Sequence, residues 1–325
     1  MSQDSPQEKE QETTPSGAAS STLPVVGIGT SAGGLAALRE FFGSVPADSG
    51  VAYVVIVHLS PEYESHMAEL LQGSSNIPVT QVSESTPLKP DQAYVIPPNA
   101  NLEAIDTHLR LQALEEARKD RAPIDHFFRT LSVAHEDRAI GVVLTGTGSD
   151  GALGVKEIKE RGGLTIAQDP TEAEHAGMPQ SAIATGVVDL VLPLSRISEA
   201  ILSLVRTRPE VAVLEEVESQ EQKQLLQKLF VRVRGQTGKD FSRYKESTIL
   251  RRISRRMQLL QVEGLSDYVD MLREDPEEIR ALADQFLINV TNFFRDPEVF
   301  QALEKDVIPR IFQGKDTEED IRVWS

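Results

Sequence analysis

The sequence predicts a doubly wound α/β domain with a mostly parallel sheet, followed by a small all-α domain. Three observations carry this prediction. From Leu23 to about Arg206, short β-rich apolar runs alternate with stretches of helical spacing. Several of those runs, VVGIGT and VAYVVIV among them, are apolar without alternation, as strands buried on both faces are. From Leu225 to about Gln313 the strand pattern stops and the periodicity is helical.

The elements follow in order. Residues 1–22 are rich in Ser, Gln, Glu and Thr, and are read as a disordered tail without the apolar segment of a secretory signal. In residues 23–206, LPVVGIGT, VAYVVIVHL, AYVIP, AIGVVLTG, LTIAQ and VVDLVLP read as strands. GGLAALREFFGSV, ESHMAELLQ, PIDHFFRTLSVAHE and GALGVKEIKERG read as the helices between them, and SRISEAILSLVRT as the helix that closes the domain. Residues 207–224 are acidic and Gln-rich, a linker or solvated helix. Residues 225–313 form the helical domain, and 314–325, ending DIRVWS, read as the opening of a further strand.

Composition narrows the function classes. The chain has 325 residues and a formal net charge of −17, which argues against general nucleic-acid binding. No apolar run approaches the roughly 20 residues of a membrane span, so membrane insertion is not expected and a cytoplasmic location is. The absence of cysteine excludes disulfides, thiolate metal sites and a cysteine nucleophile.

Residue types needed for acyl transfer stand at the carboxyl ends of predicted strands, where open α/β sheets build their sites. Ser31 follows VVGIGT, His58 ends VAYVVIV, and Asp150 lies in the loop TGTGSDG after AIGVVLTG. A serine hydroxyl needs a base to take its proton, and the base needs an acid to orient it. Gly29, Gly33 and Gly34 permit a tight turn that exposes the Ser31 hydroxyl, and Gly146, Gly148 and Gly151 free the loop around Asp150. The amides of Ala32 and Thr147 are the candidates for an oxyanion hole. Plainer readings stand beside this one. Gly27-x-Gly29-x-x-Ala32 fits a permissive dinucleotide fingerprint, but that reading wants an acidic residue where His58 stands. His58 alone is an ordinary strand-end histidine, and Asp150 alone is a good N-cap for the helix after it. Spacing does not by itself make the three adjacent.

Residues 23–206 resemble the catalytic domain of the CheB-type chemotaxis protein-glutamate methylesterases. The resemblance rests on IGTSAGG, VVIVHLSP, VLTGTGSDG, TIAQDP and GMPQSAIATGVVD. It implies Ser31 as nucleophile, His58 as base and Asp150 as acid. It further implies hydrolysis of γ-glutamyl methyl esters on cytoplasmic helices of chemoreceptors, glutamine deamidation in many members, and no metal or cofactor. Met178 of GMP is expected to line the site. Family members often carry a receiver domain ahead of the esterase. Only the tail precedes Leu23 here, so regulation by that route is not expected.

Residues 226–305 resemble the N-terminal helical domain of the CheR-type chemotaxis methyltransferases, through KESTILRRISRRM and FLINVTNFFRDPEVF. Arg251, Arg252, Arg255 and Arg256 share one helical face. A solvated charged face accounts for that spacing; the resemblance implies a surface that docks acidic receptor helices. It also implies S-adenosylmethionine contacts at Asn289, Thr291 and Arg295, for a site completed only by a domain beyond DIRVWS. The whole reads as an esterase joined to the front of a methyltransferase.

Overall fold

A computed structural model describes residues 23–58, 65–113, 122–211, 219–287 and Lys305. The expected tail over 1–22, residues 212–218 of the expected linker and the strand opening at 314–325 lie outside the described residues, as do Asn289, Thr291 and Arg295.

The esterase-like region runs β1 (Val25–Thr30), α1 (Gly34–Ser44), β2 (Ala52–Val57), α2 (Met67–Gln72), β3 (Val79–Gln81), β4 (Ser85–Pro87), β5 (Gln92–Val95), β6 (Ala100–Ile105) and β7 (His108–Ala113). It continues with α3 (Pro123–His135), β8 (Ala139–Val143), α4 (Ala152–Glu160), β9 (Leu164–Gln168), α5 (Gly177–Ala184), β10 (Leu190–Leu192) and α6 (Leu194–Val211). Seven strands form one parallel sheet in the order β10-β9-β8-β1-β2-β5-β3. A separate antiparallel sheet, β4-β7-β6, was not expected from the sequence. Its β6–β7 hairpin turns through Asp106, whose φ of 49° is the left-handed geometry that tight hairpin turns need.

Alternation along the buried strands sorts the core into two layers. Val26 and Ile28 of β1, with Tyr53, Val55 and Val57 of β2, face α1 and α6. Val25, Ala52, Val54 and Ile56 face the other way, onto α3, α4 and α5. On that second face β1 presents Gly27 and Gly29. A Cβ on Gly27 would stand 2.9 Å from the Phe128 ring, and one on Gly29 would run into Ile124. Each strand glycine costs roughly 0.5–1 kcal/mol. Phe127 and Phe128, fully buried against the sheet, return roughly 1.5–3 kcal/mol apiece. Packing wins, and the side chains of α3 sit against the bare backbone of Gly27 and Gly29 in the central strand.

At its far end α3 buries His135 completely. Burial, with the Arg138 charge adding, pushes its imidazole down from 6.5 to about 4, the backbones of Leu23 and Asp106 only partly opposing. The folded-state value is depressed, so stability present above pH 6.5 is lost as the pH falls toward 4. Urea unfolding at pH 7 and pH 4.5 should show the wild type losing about 2 kcal/mol more than a His135→Gln variant over that interval. Equal losses would contradict the burial account.

The closing helix α6 extends to Val211, beyond the boundary expected near Arg206. The second region then comprises α7 (Gln220–Thr237), α8 (Glu246–Leu259), α9 (Leu265–Glu274) and α10 (Pro276–Phe286) around its own apolar core. α7 starts five residues before the expected position because Ser219 and Gln222 form a capping box.

The four arginines of α8 require a correction. The expectation is a solvated docking face; the structure turns that face inward. Arg255 donates to the carbonyls of Gly162 (2.6 Å) and Asp137 (2.9 Å) of the esterase-like region, and Arg251 lies across Gly162. Arg256 is paired with Glu278, which also accepts from Tyr268 Oη at 2.7 Å, and Arg252 donates to the Gln285 carbonyl. The physical reason is that the carbonyls of Gly162 just past α4, of Asp137 just ahead of β8 and of Gln285 in α10, with the buried Glu278 carboxylate, need donors, and guanidinium forks supply several each. Leu259 packs onto the esterase-like core and Gln261 donates to Ser203 at 2.9 Å, so α8 seats the helical region against α6.

Candidate active site

β1 is the point where the strand order reverses, with β2 on one side and β8 on the other. A crevice opens at such a point outside the carboxyl ends of the strands. The register is level there: Thr30 pairs with Val57, and Gly29 with Val143. Ser31, His58 and the loop after β8 therefore emerge side by side.

The turn carrying Ser31 is held from several directions. Ser31 N donates to Thr145 O at 3.1 Å, and Thr30 Oγ1 donates to the same carbonyl at 2.7 Å. Gly33 has φ 75°, the left-handed conformation that lets the strand break directly into α1. The loop after β8 is pinned in turn: Thr145 N donates to Gln168 Oε1 at 2.9 Å, and Gly146 N to His175 O at 2.9 Å. A Cβ on Gly146 would stand 3.0 Å from that of Ser31 and would strike Met178. Met178 is fully buried, so it supports the site from beneath.

The three sequence candidates come together. His58 Nδ1 lies 3.2 Å from Ser31 Oγ, and His58 Nε2 lies 2.8 Å from Asp150 Oδ2. Turning the ring over by 180° about χ2 would place carbon atoms at both partners, so the nitrogen assignment follows from the contacts. With Asp150 accepting at Nε2–H, the free lone pair of Nδ1 faces the serine hydroxyl. The Asp150 side chain is 7% exposed and that of His58 34%, a buried carboxylate behind an imidazole that solvent reaches.

Asp150 is an N-cap of an unexpected kind. It makes no cap to α4, the helix that follows it. Its carboxylate instead meets the start of α3, accepting from Ile124 N at 3.0 Å (Oδ2) and Asp125 N at 2.9 Å (Oδ1). Asp125 is the neighbour that sequence reasoning missed. It reads as an ordinary first-turn acid after Pro123, and nothing linear shows that it faces a second helix. Ala32 and Thr147 flank the Ser31 hydroxyl side of the crevice in sequence. Among the described residues neither backbone amide has a hydrogen-bond acceptor.

Residues 26–201 match the family model described as CheB methylesterase, more than half of the chain. The chain belongs to the CheB methylesterase family. Residues 224–287 match the CheR methyltransferase all-alpha domain. The CheB methylesterase catalytic domain of Thermotoga maritima superposes with a TM-score of 0.53 at 28% identity, covering 57% of this chain and all of that one. A protein-glutamate methylesterase/protein-glutamine glutaminase of Moorella thermoacetica is 34% identical over 56% of this chain and 44% of its own length. An uncharacterized 104.1 kDa protein of Rhodobacter capsulatus is 36% identical over 80% of this chain. The chain spans 29% of that larger relative. Among the described residues no helix is long and apolar enough to cross a membrane.

Proposed function

We propose that this CheB-family chain hydrolyses γ-glutamyl methyl esters on chemoreceptor helices through Ser31, His58 and Asp150. The observation that carries the reading is the single imidazole bridging Ser31 and Asp150, at 3.2 and 2.8 Å.

His58 Nδ1 takes the hydroxyl proton as Ser31 Oγ bonds to the ester carbonyl carbon. Asp150 stabilises the imidazolium that forms without taking a proton itself. The carbonyl oxygen becomes an oxyanion, for which the uncommitted amides of Ala32 and Thr147 are the donors. The tetrahedral adduct collapses, methanol leaves with the proton from His58, and Ser31 holds the glutamyl group as an ester. Water then attacks, His58 again accepts and returns a proton, and a free glutamate is released. On a glutamine side chain the same sequence expels ammonia, which gives the deamidase activity named for the Moorella relative.

The helical region belongs to a methyltransferase-type module. Asn289, Thr291 and Arg295, the S-adenosylmethionine contacts that the resemblance implies, lie outside the described residues. The competing reading is a receptor-docking module without catalysis. Methanol release from a receptor peptide carrying glutamate methyl esters separates the two. Turnover supports the esterase; binding without turnover would leave only docking.

A further inference from the structure

Two helices begin at the catalytic acid, and neither is capped by the side chain of its own N-cap residue. Each takes a carboxylate from the other. Asp150, just ahead of α4, receives the Ile124 and Asp125 amides that open α3. Asp125, in the first turn of α3, receives the Gly154 amide in the first turn of α4 at 2.6 Å. The amides of Gly151 and Leu153 also bear on the Asp125 carboxylate. A carboxylate suits both the unpaired N–H groups and the positive dipole of a helix N-terminus. Between the two caps lies the Ile124 side chain, packed where a Cβ on Gly29 or Gly151 would meet it.

We propose that Asp125 is a positioning residue for the catalytic acid: by capping α4 while its own amide holds Asp150, it keeps the Asp150 loop aligned with His58. This deepens the esterase reading and rests on it. Asp125 acts through Asp150, which precedes α4 by two residues and would shift with any loosening of that helix start. A displacement near 1 Å costs on the order of 10² in rate. Asparagine keeps an oxygen for the Gly154 amide, whereas alanine keeps none.

The Asp125 carboxyl is half-buried beside that of Asp150. Burial pushes its carboxyl up to about 6, the Asp150 charge adding and the α4 amides opposing. Among the described residues Asp150 is the charge acting on it, with His58 bonded behind Asp150. Next along α3, His126 turns to Glu103 of β6, 3.5 Å away.

The rate at which a fluorophosphonate labels Ser31, followed by intact mass, tests this without a receptor substrate. The Oγ–P bond forms, the P–F bond breaks, fluoride leaves and His58 takes the hydroxyl proton. Asp125→Ala should slow labelling about 10- to 100-fold. Asp125→Asn, which keeps an acceptor for the Gly154 amide, should recover the rate to within about threefold of wild type. A wild-type rate in Asp125→Ala would overturn the proposal. Should that variant fail to fold by circular dichroism, a folded Asp125→Asn that labels more than tenfold slower than wild type overturns it alone. A wild type that is not labelled at Ser31 would instead sink the triad reading, and the role of Asp125 with it.

Discussion

Replacing Ser31 by alanine should abolish ester hydrolysis and leave the fold intact. The side chain contributes little to stability, because the turn is held by backbone bonds to Thr145 and by the Thr30 hydroxyl. Removing the nucleophile of a group that works as a unit costs on the order of 10⁶ in kcat. Methanol release from a methylated receptor peptide, set against a thermal melt of the same sample, checks both halves. A melting temperature near wild type with no turnover is the expected pair. Near-wild-type turnover would remove Ser31 from the mechanism.

Asp150→Asn should lose about 10⁴ in kcat, and here the reason lies in the bond count. Asp150 accepts at both oxygens, from His58 Nε2 and Ile124 N on one and from Asp125 N on the other. An asparagine has one acceptor oxygen. If its NH2 faces His58, the imidazole must move its proton to Nδ1 and can no longer accept from Ser31. If the NH2 faces Asp125 N, two donors oppose each other at the start of α3. Either arrangement spoils the base, its seat or both, and a buried donor left unpaired costs about 1–3 kcal/mol besides. Steady-state kinetics should therefore show a large fall in kcat with KM nearly constant. A loss below tenfold would mean that Asp150 does not set the tautomer.

The parts of this fold written in local pattern were legible in the sequence. Long apolar runs marked β1, β2, β8 and β9, and their strand ends located Ser31, His58 and Asp150. The small sheet escaped. β6 and β7 do alternate, in LEAI and HLRLQA, but the two-residue turn at Asp106 lacks the glycine that usually announces a hairpin. Asp125 escaped for a different reason: a cross-helix cap is a tertiary fact with no local spacing. The arginines of α8 show the opposite failure. Their periodicity is plain, yet spacing on a helix defines a face without saying whether water or the Gly162 carbonyl meets it. Charge alone suggested solvent, and the carbonyls of Gly162 and Asp137 decided otherwise.

The central claim is that Ser31 carries the glutamyl group between the two halves of the reaction. Acid-quenching the chain during turnover of a glutamate methyl ester peptide, followed by digestion and mass analysis, tests it most directly. The account predicts that the fragment containing Ser31 gains the mass of the peptide acyl group, and that Ser31→Ala shows neither the adduct nor methanol. Methanol release accompanied by an adduct on a different residue would contradict it.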